Sequence, residues 1–247
     1  MERRSFLLGT AGSLVAGATG MAGTQSANAA DNARLAGWSN DFTYNSRGWS
    51  AVRGPWYRSG GMWRADGLQD YWTSTKHGGY WSNFVYQAKV RRDGNGGGFW
   101  NNSLVIRGNP YGLDSTGEWS PSYLFSFTNT GYVSVWLVDS GGGETRLMDW
   151  TYYSFLTTAI WKTMKVVAQN DFFAFSINGR TLWSGYDSYS SYGMVGFTFY
   201  TSSPYWSTLK MDSARLTTIA ARDKVTLDPA APPGRVVKGG TRLRSPE

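Results

Sequence analysis

The sequence contains no cysteine and a single histidine, His77. Without cysteine there is no disulfide framework, no thiolate metal site, no cysteine nucleophile and no lipid-modified N-terminal cysteine. One histidine excludes a multi-histidine zinc site and leaves a Ser-His-Asp triad a single candidate base. No Gly-x-Ser-x-Gly surrounds any serine, so nothing marks a partner for that base. Charge is sparse, at 17% of 247 residues and without long runs of one sign, which argues against a disordered polyelectrolyte. Carboxylates are scarcer still in the body of the chain, where Glu118 and Glu144 are the only glutamates between residue 30 and residue 219. Aromatic residues are abundant: 13 Trp, 15 Tyr and 12 Phe make up 16% of the chain, alongside 31 Gly. That balance favours strands and tight turns over helices.

The first 29 residues have the composition of an address. Arg3 and Arg4 precede Phe6-Leu7 and a Gly- and Ala-rich run, and Ala27-Asn28-Ala29 forms a small-x-small cleavage site. The segment resembles a twin-arginine export signal, which implies a mature chain starting near Ala30 and a periplasmic or extracellular destination. No other segment has eighteen continuous apolar residues, so no transmembrane span is expected in the mature chain. Without the signal the net charge falls from +7 to +6, and half of that excess lies in residues 220–247. The remaining field is too weak to indicate a nucleic-acid partner.

Between Gly60 and Leu216 the chain reads as ten to twelve short strands divided by turn signals. Phe84, Tyr86, Ala88 and Val90 alternate with Gln87, Lys89 and Arg91, as a half-buried strand requires. Asn178-Gly179 is a type I′ hairpin signal, because both central positions of that turn need positive φ. The prediction is an all-β, antiparallel two-sheet sandwich over residues 30–219, followed by a basic, Pro- and Gly-containing tail over 220–247 that is expected to be flexible.

Four stretches carry a family likeness: Gly61-Met-Trp-Arg-Ala-Asp-Gly-Leu68, Tyr80 to Val90, Asn102 to Arg107, and Trp161 through Gly196. Their order resembles the concanavalin A-like lectin/glucanase superfamily in its secreted bacterial jelly-roll form. The resemblance implies a jelly-roll sandwich and a polysaccharide or glycan partner. It also sets a departure in relief. Endoglucanases of this fold carry Glu-x-Asp-x-x-Glu on one strand, and this sequence has no such run.

The candidate site residues follow from chemistry. Sugars lay axial C–H patches on aromatic faces, so exposed rigid rings suit them. Turn-adjacent, glycine-flanked candidates are Trp72, Tyr80, Trp81, Trp100, Tyr111, Trp119, Tyr205 and Trp206. Phe84, Tyr86, Trp136, Trp161, Phe173, Phe175, Phe197 and Phe199 are assigned to the core. Arg107, expected on the open face of its strand, could clamp hydroxyls or a carboxylate, or form a salt bridge with Asp114 or Glu118. Asn101 and Asn102 offer neutral donors and acceptors beside it. Glu118 next to Trp119 is the candidate catalytic acid of an alternative glycoside hydrolase, with an Asp or Glu144 as partner. Asp41 and Asp212, in terminal strand regions that pair in such sandwiches, are candidate calcium ligands. The leading expectation is a non-catalytic carbohydrate-binding module, with the hydrolase and a structural or adhesion domain as rivals.

Overall fold

The computed structural model describes residues 37–95, 98–157 and 159–246. The signal residues Arg3, Arg4, Ala27 and Ala29 lie outside them. The described residues contain strands and no helix. In chain order these are β1 Trp38–Asn40, β2 Trp49–Arg53, β3 Trp56–Ser59, β4 Met62–Asp66 and β5 Tyr71–Trp81. Next come β6 Phe84–Asp93, β7 Asn102–Gly108, β8 Ser122–Phe127, β9 Thr130–Val138 and β10 Glu144–Thr157. The series ends with β11 Lys162–Gln169, β12 Phe172–Ile177, β13 Arg180–Tyr186, β14 Gly193–Thr201, β15 Thr208–Thr218 and β16 Arg235–Val236.

They form two antiparallel sheets. The first runs β13-β12-β11-β6-β15-β4-β3, with β1 also paired to β15. The second runs β16-β10-β9-β8-β7-β14-β5-β2. Long-range pairing of first and last strands, with β1 on β15 and β5 on β14, is the jelly-roll arrangement expected of the sequence.

Period-two patterning fixes which residues fill the gap between sheets. In β6, Phe84, Tyr86, Ala88 and Val90 point inward and meet Met164, Val166 and Ala168 of β11. From the other sheet, Leu104 and Ile106 of β7, Phe125 of β8 and Phe197 of β14 complete the layer. Of the rings assigned to the core, all are buried except Trp161, which is half-exposed under the Lys89 ammonium. The hairpin at Asn178-Gly179 forms with φ of 51° and 72°, the positive pair that a type I′ turn demands.

The second sheet departs from simple alternation. Strands β7, β8 and β14 are buried along their whole length, so both faces are covered. A second apolar cluster sits on the outer face: Val105, Leu124, Trp136, Val138, Trp150 and Met194, roofed by Trp119. Residues 109–121 supply part of that roof.

Residues 235–246 supply the rest, while residues 220–231 run along β11 and β13 of the first sheet, so the tail expected to be flexible is packed against both sheets. β16 pairs with Thr151 and Tyr152 of β10, and Asp228 pairs with Lys165 at 2.5 Å. Further on, Asn101 N–H donates to Leu243 O and Ser245 N–H to Phe99 O. Of the tail's basic residues, Arg242 is held by the carboxylates of Asp114 and Glu144.

Candidate functional site

The loops at one end of the sandwich carry an exposed aromatic grouping. Residues 94–101 join β6 to β7, and residues 202–207 join β14 to β15. Phe99, Trp100, Tyr205 and Trp206 gather there, with Trp206 60% and Tyr205 42% exposed. Phe99, Trp100 and Tyr205, together with Asn95, Gly98 and Arg244, line a cavity of about 280 Å³. Arg244 spreads its guanidinium 5.4 Å from the Phe99 ring centre and 5.5 Å from that of Trp100. Trp100 also leans on Tyr200, with centroids 5.4 Å apart.

The two loops are tied to each other. Trp206 N–H donates to Asn95 Oδ1 at 2.9 Å, and Asp70 Oδ1 accepts from Ser203 N–H at 3.0 Å. Gly94 has φ +108°, and a side chain there would collide with the Trp206 backbone. Beneath them lies Arg92, which is fully buried. Its Nη1 donates to Trp100 O, Asn101 O and Asn102 Oδ1 at 3.2–3.3 Å. Its Nη2 donates to Tyr200 O at 2.7 Å, Thr201 Oγ1 at 3.0 Å and Ser207 Oγ at 2.9 Å. Burial among these neutral acceptors pulls the guanidinium down to about 9. One side chain thus sets the height of both loops, and the rings above sit on strand ends rather than on free chain.

Of the aromatic residues singled out from the sequence, Trp100, Tyr205 and Trp206 come together here. Trp81 is half-buried and packs against the main core at the end of β5. Tyr111 is 69% exposed, but its hydroxyl accepts from Lys76 Nζ at 2.6 Å. Lys76 is four residues along β5 from Trp72, the partner of Tyr200, or about 13 Å from the cavity's edge. Tyr111 therefore belongs to another part of the surface.

Trp119 and Trp72 are fully buried, which corrects their placement as sugar contacts. Trp119 Nε1–H donates to Ser74 Oγ at 3.1 Å, and the ring closes over Val105 and Met194. Asn102 is buried as well: its Oδ1 receives Arg92 and its amide donates to Phe127 O. It lies in a central strand with both faces covered.

Arg107 is also inside, 1% exposed. Its φ of 46° and the register shift opposite Met194 and Gly196 break the alternation that would have turned it outward. The guanidinium instead lies 4.9 Å from the Phe173 ring centre and donates to Ser82 O, Asn170 O and Ser190 O at 2.7–3.2 Å. Neither Asp114 nor Glu118 is its partner.

Glu118 is sealed. Its Oε1 accepts the Trp119 N–H at 2.7 Å, and Oε2 is buried without a hydrogen bond. Burial pushes its pKa up to about 8, against the pull of Arg242 and the Trp119 N–H. Asp114 lies close by and stays below its usual range: burial would raise it, but hydrogen bonds from Thr116 and Arg242 outweigh that effect. A glycosidic acid must reach a bond in a cleft, flanked by a second carboxylate at about 5 to 9 Å. Glu118, buried under the 109–121 loop, has no such access, so its role as a catalytic acid is corrected to that of a buried hydrogen-bond acceptor.

The proposed calcium pair is neighbouring in the ladder, since Asn40 pairs with Ala214, but it is not arranged as a metal site. Asp212 is engaged by Lys89 at 3.1 Å, and Arg215 shares the depression beside Asp41. Among the described residues no cluster of three or more His, Cys, Asp or Glu side chains forms. With cations already next to both carboxylates, the residues do not fit a calcium ion.

Sequence reasoning missed Arg92, Phe99 and Arg244. Arg92 falls on the same alternation as Phe84 to Val90, and a lone charge on an apolar face was the available signal. Arg244 lies in the tail that composition marks as flexible, and nothing local in the sequence sets it apart.

No protein-family model matches this chain, and no curated protein matches it. Solved structures do. A carbohydrate-binding module, CBM66 from Bacillus subtilis, is 20% identical over 67% of this chain and 93% of its own, with a TM-score of 0.50. A β-glucanase from Bacillus licheniformis is 11% identical over 74% of this chain and 98% of its own, with a TM-score of 0.54. The carbohydrate recognition domain of Emp47p is 10% identical over 74% of this chain and 96% of its own, with a TM-score of 0.55. At these identities the likeness is one of fold, and the two-sheet jelly-roll sandwich expected from the sequence is the scaffold found.

Proposed function

We propose that this is an exported carbohydrate-binding protein that seats a saccharide against Phe99, Trp100 and Tyr205. The observation that carries the reading is the exposed aromatic cavity itself, held at fixed height by Arg92 and rimmed by Asn95 and Arg244. Flat rings there meet C–H faces, while Asn95 and the arginine offer polar partners to hydroxyls. Solved structures of the same fold named as a carbohydrate-binding module and a carbohydrate recognition domain support it. The sequence of the first 29 residues supports export by the twin-arginine route, which carries folded proteins and suits a cysteine-free domain. Replacing Arg3 and Arg4 by lysine is expected to retain the precursor in the cytoplasm, and unchanged export would refute that route.

A glycan array on the chain from Ala30 onward tests the binding. Tyr205→Ala is expected to weaken a hit tenfold or more, equivalent to about 1.4 kcal/mol, with an unchanged melting temperature. Full affinity in that variant, or no hit on any saccharide, would overturn the reading.

A further inference from the structure

The outer face of the second sheet is lined in a way that its present cover does not explain. Ser74, Thr198, Ser103, Ser126 and Ser134 stand in register across β5, β14, β7, β8 and β9. All five are fully buried. They form a band of small hydroxyls across the middle of the sheet. Indoles border it: Trp119 donates to Ser74 at one end, and Trp136 donates to Ser134 at the other. A face meant only to be packed would carry aliphatic side chains there, as the inner face does. Hydroxyls, indole N–H groups and nearby carboxylates are instead the complement of a polyhydroxylated chain.

Residues 237–246 lie against this face through polar contacts. Asn101 donates to Arg242 O at 2.8 Å from the side chain and to Leu243 O at 3.0 Å from the backbone. Trp150 Nε1–H donates to Thr241 O at 3.1 Å. The Arg242 guanidinium is inserted beside Trp72, its Nη2 2.7 Å from Asp114 Oδ2 and its Nε 3.0 Å from Glu144 Oε1. The fit is incomplete. Arg242 Nη1, Glu118 Oε2, Trp72 Nε1 and Ser245 Oγ are all buried without a hydrogen-bond partner. Groups left in that condition favour an alternative that satisfies them.

We propose that residues 237–246 are a built-in occupant of a second saccharide groove on this face, latched by Arg242, and that a neutral glycan chain binds there when the segment leaves. The ligand class rests on the carbohydrate reading above; the location and the latch do not. Releasing the segment uncovers Asn101 and the Ser126 end of the hydroxyl band, while Trp119 stays over Ser74.

The test uses the chain from Ala30 onward with Arg242→Ala and, separately, Arg242→Glu, which sets a negative charge against Asp114 and Glu144. Backbone hydrogen exchange reports whether 237–246 is released. Binding to soluble mixed-linkage β-glucan, levan and xylan is measured by calorimetry. The expected result is faster exchange confined to 237–246 and to strands beneath it, with at least a tenfold gain in affinity for one of the three polymers. The gain should persist with Tyr205→Ala, which separates it from the aromatic cavity. Release with no gain on any polymer would overturn the proposal, as would continued protection of 237–246 in both variants. Loss of folding in both would also overturn it, because the segment would then be part of the core.

Discussion

The buried carboxyl of Glu118 gives a stability signature that can be worked out in advance. Its folded value of about 8 lies above the unfolded value of 4.5, so the folded state holds a proton that the unfolded state releases. A raised carboxylate value means stability is fully present below the unfolded value and is lost as pH rises toward 8. His77, lowered by burial, titrates below about pH 6.5, and Asp114 lies lower still. Over the interval from about pH 6.5 to about pH 8 Glu118 therefore dominates, with a smaller opposing contribution near pH 8 from the Lys162 ammonium, which burial lowers to about 8. Across it, one group with these two values loses about 1.5 kcal/mol. For a domain of this size that corresponds to a fall of about 3 to 6 °C in melting temperature. Glu118→Gln keeps an acceptor for the Trp119 N–H and removes the Glu118 titration, so its stability should no longer fall over the same interval. Urea unfolding at several pH values, read by tryptophan fluorescence, provides the measurement. A parent protein as insensitive to pH as the glutamine variant would refute the account, since it would place water at a carboxyl described here as sealed.

Other substitutions separate structural from functional residues. Trp119→Ala should destabilise by about 3 to 5 kcal/mol, because it empties a fully buried site under the 109–121 loop; near-parent stability in denaturant titration would contradict its place in the second cluster. Arg107→Met should cost about 2 to 4 kcal/mol by orphaning the carbonyls of Ser82, Asn170 and Ser190, and a neutral result would mean those carbonyls are served by water. Gly179→Ala should cost about 1 kcal/mol through strain at φ +72° alone, since no atom lies within 4 Å of the added methyl; a loss of several kcal/mol would point to a crowded turn instead.

The scaffold was readable because strand signals are local. The alternation from Phe84 to Val90 needs only its own neighbours to be recognised, and Asn178-Gly179 announces a turn within two residues. The site was less readable because covering is not local. Trp119 and Trp100 have similar glycine-flanked settings in sequence, yet one is roofed by its own loop and the other faces a cavity. Nothing near either residue distinguishes them, since what decides is the path of residues 109–121 and 237–246 over the sheet. Arg107 failed for a backbone reason: a positive φ at a non-glycine residue reverses the side that alternation assigns. Arg92 and Arg242 have the opposite lesson. Both are charges placed where charges are expensive, and both turn out to hold two distant stretches together.

The two-residue strand β16 has a consequence for behaviour in concentrated solution. It lies against the otherwise unpaired border of β10, where Thr151 and Tyr152 would present backbone donors and acceptors to any passing strand. Peeling back the residues that follow it would strip this guard from the rim. Such molecules would acquire an adhesive margin and self-associate as their concentration rises, so turbidity and light scattering would register the event even where no sugar is present.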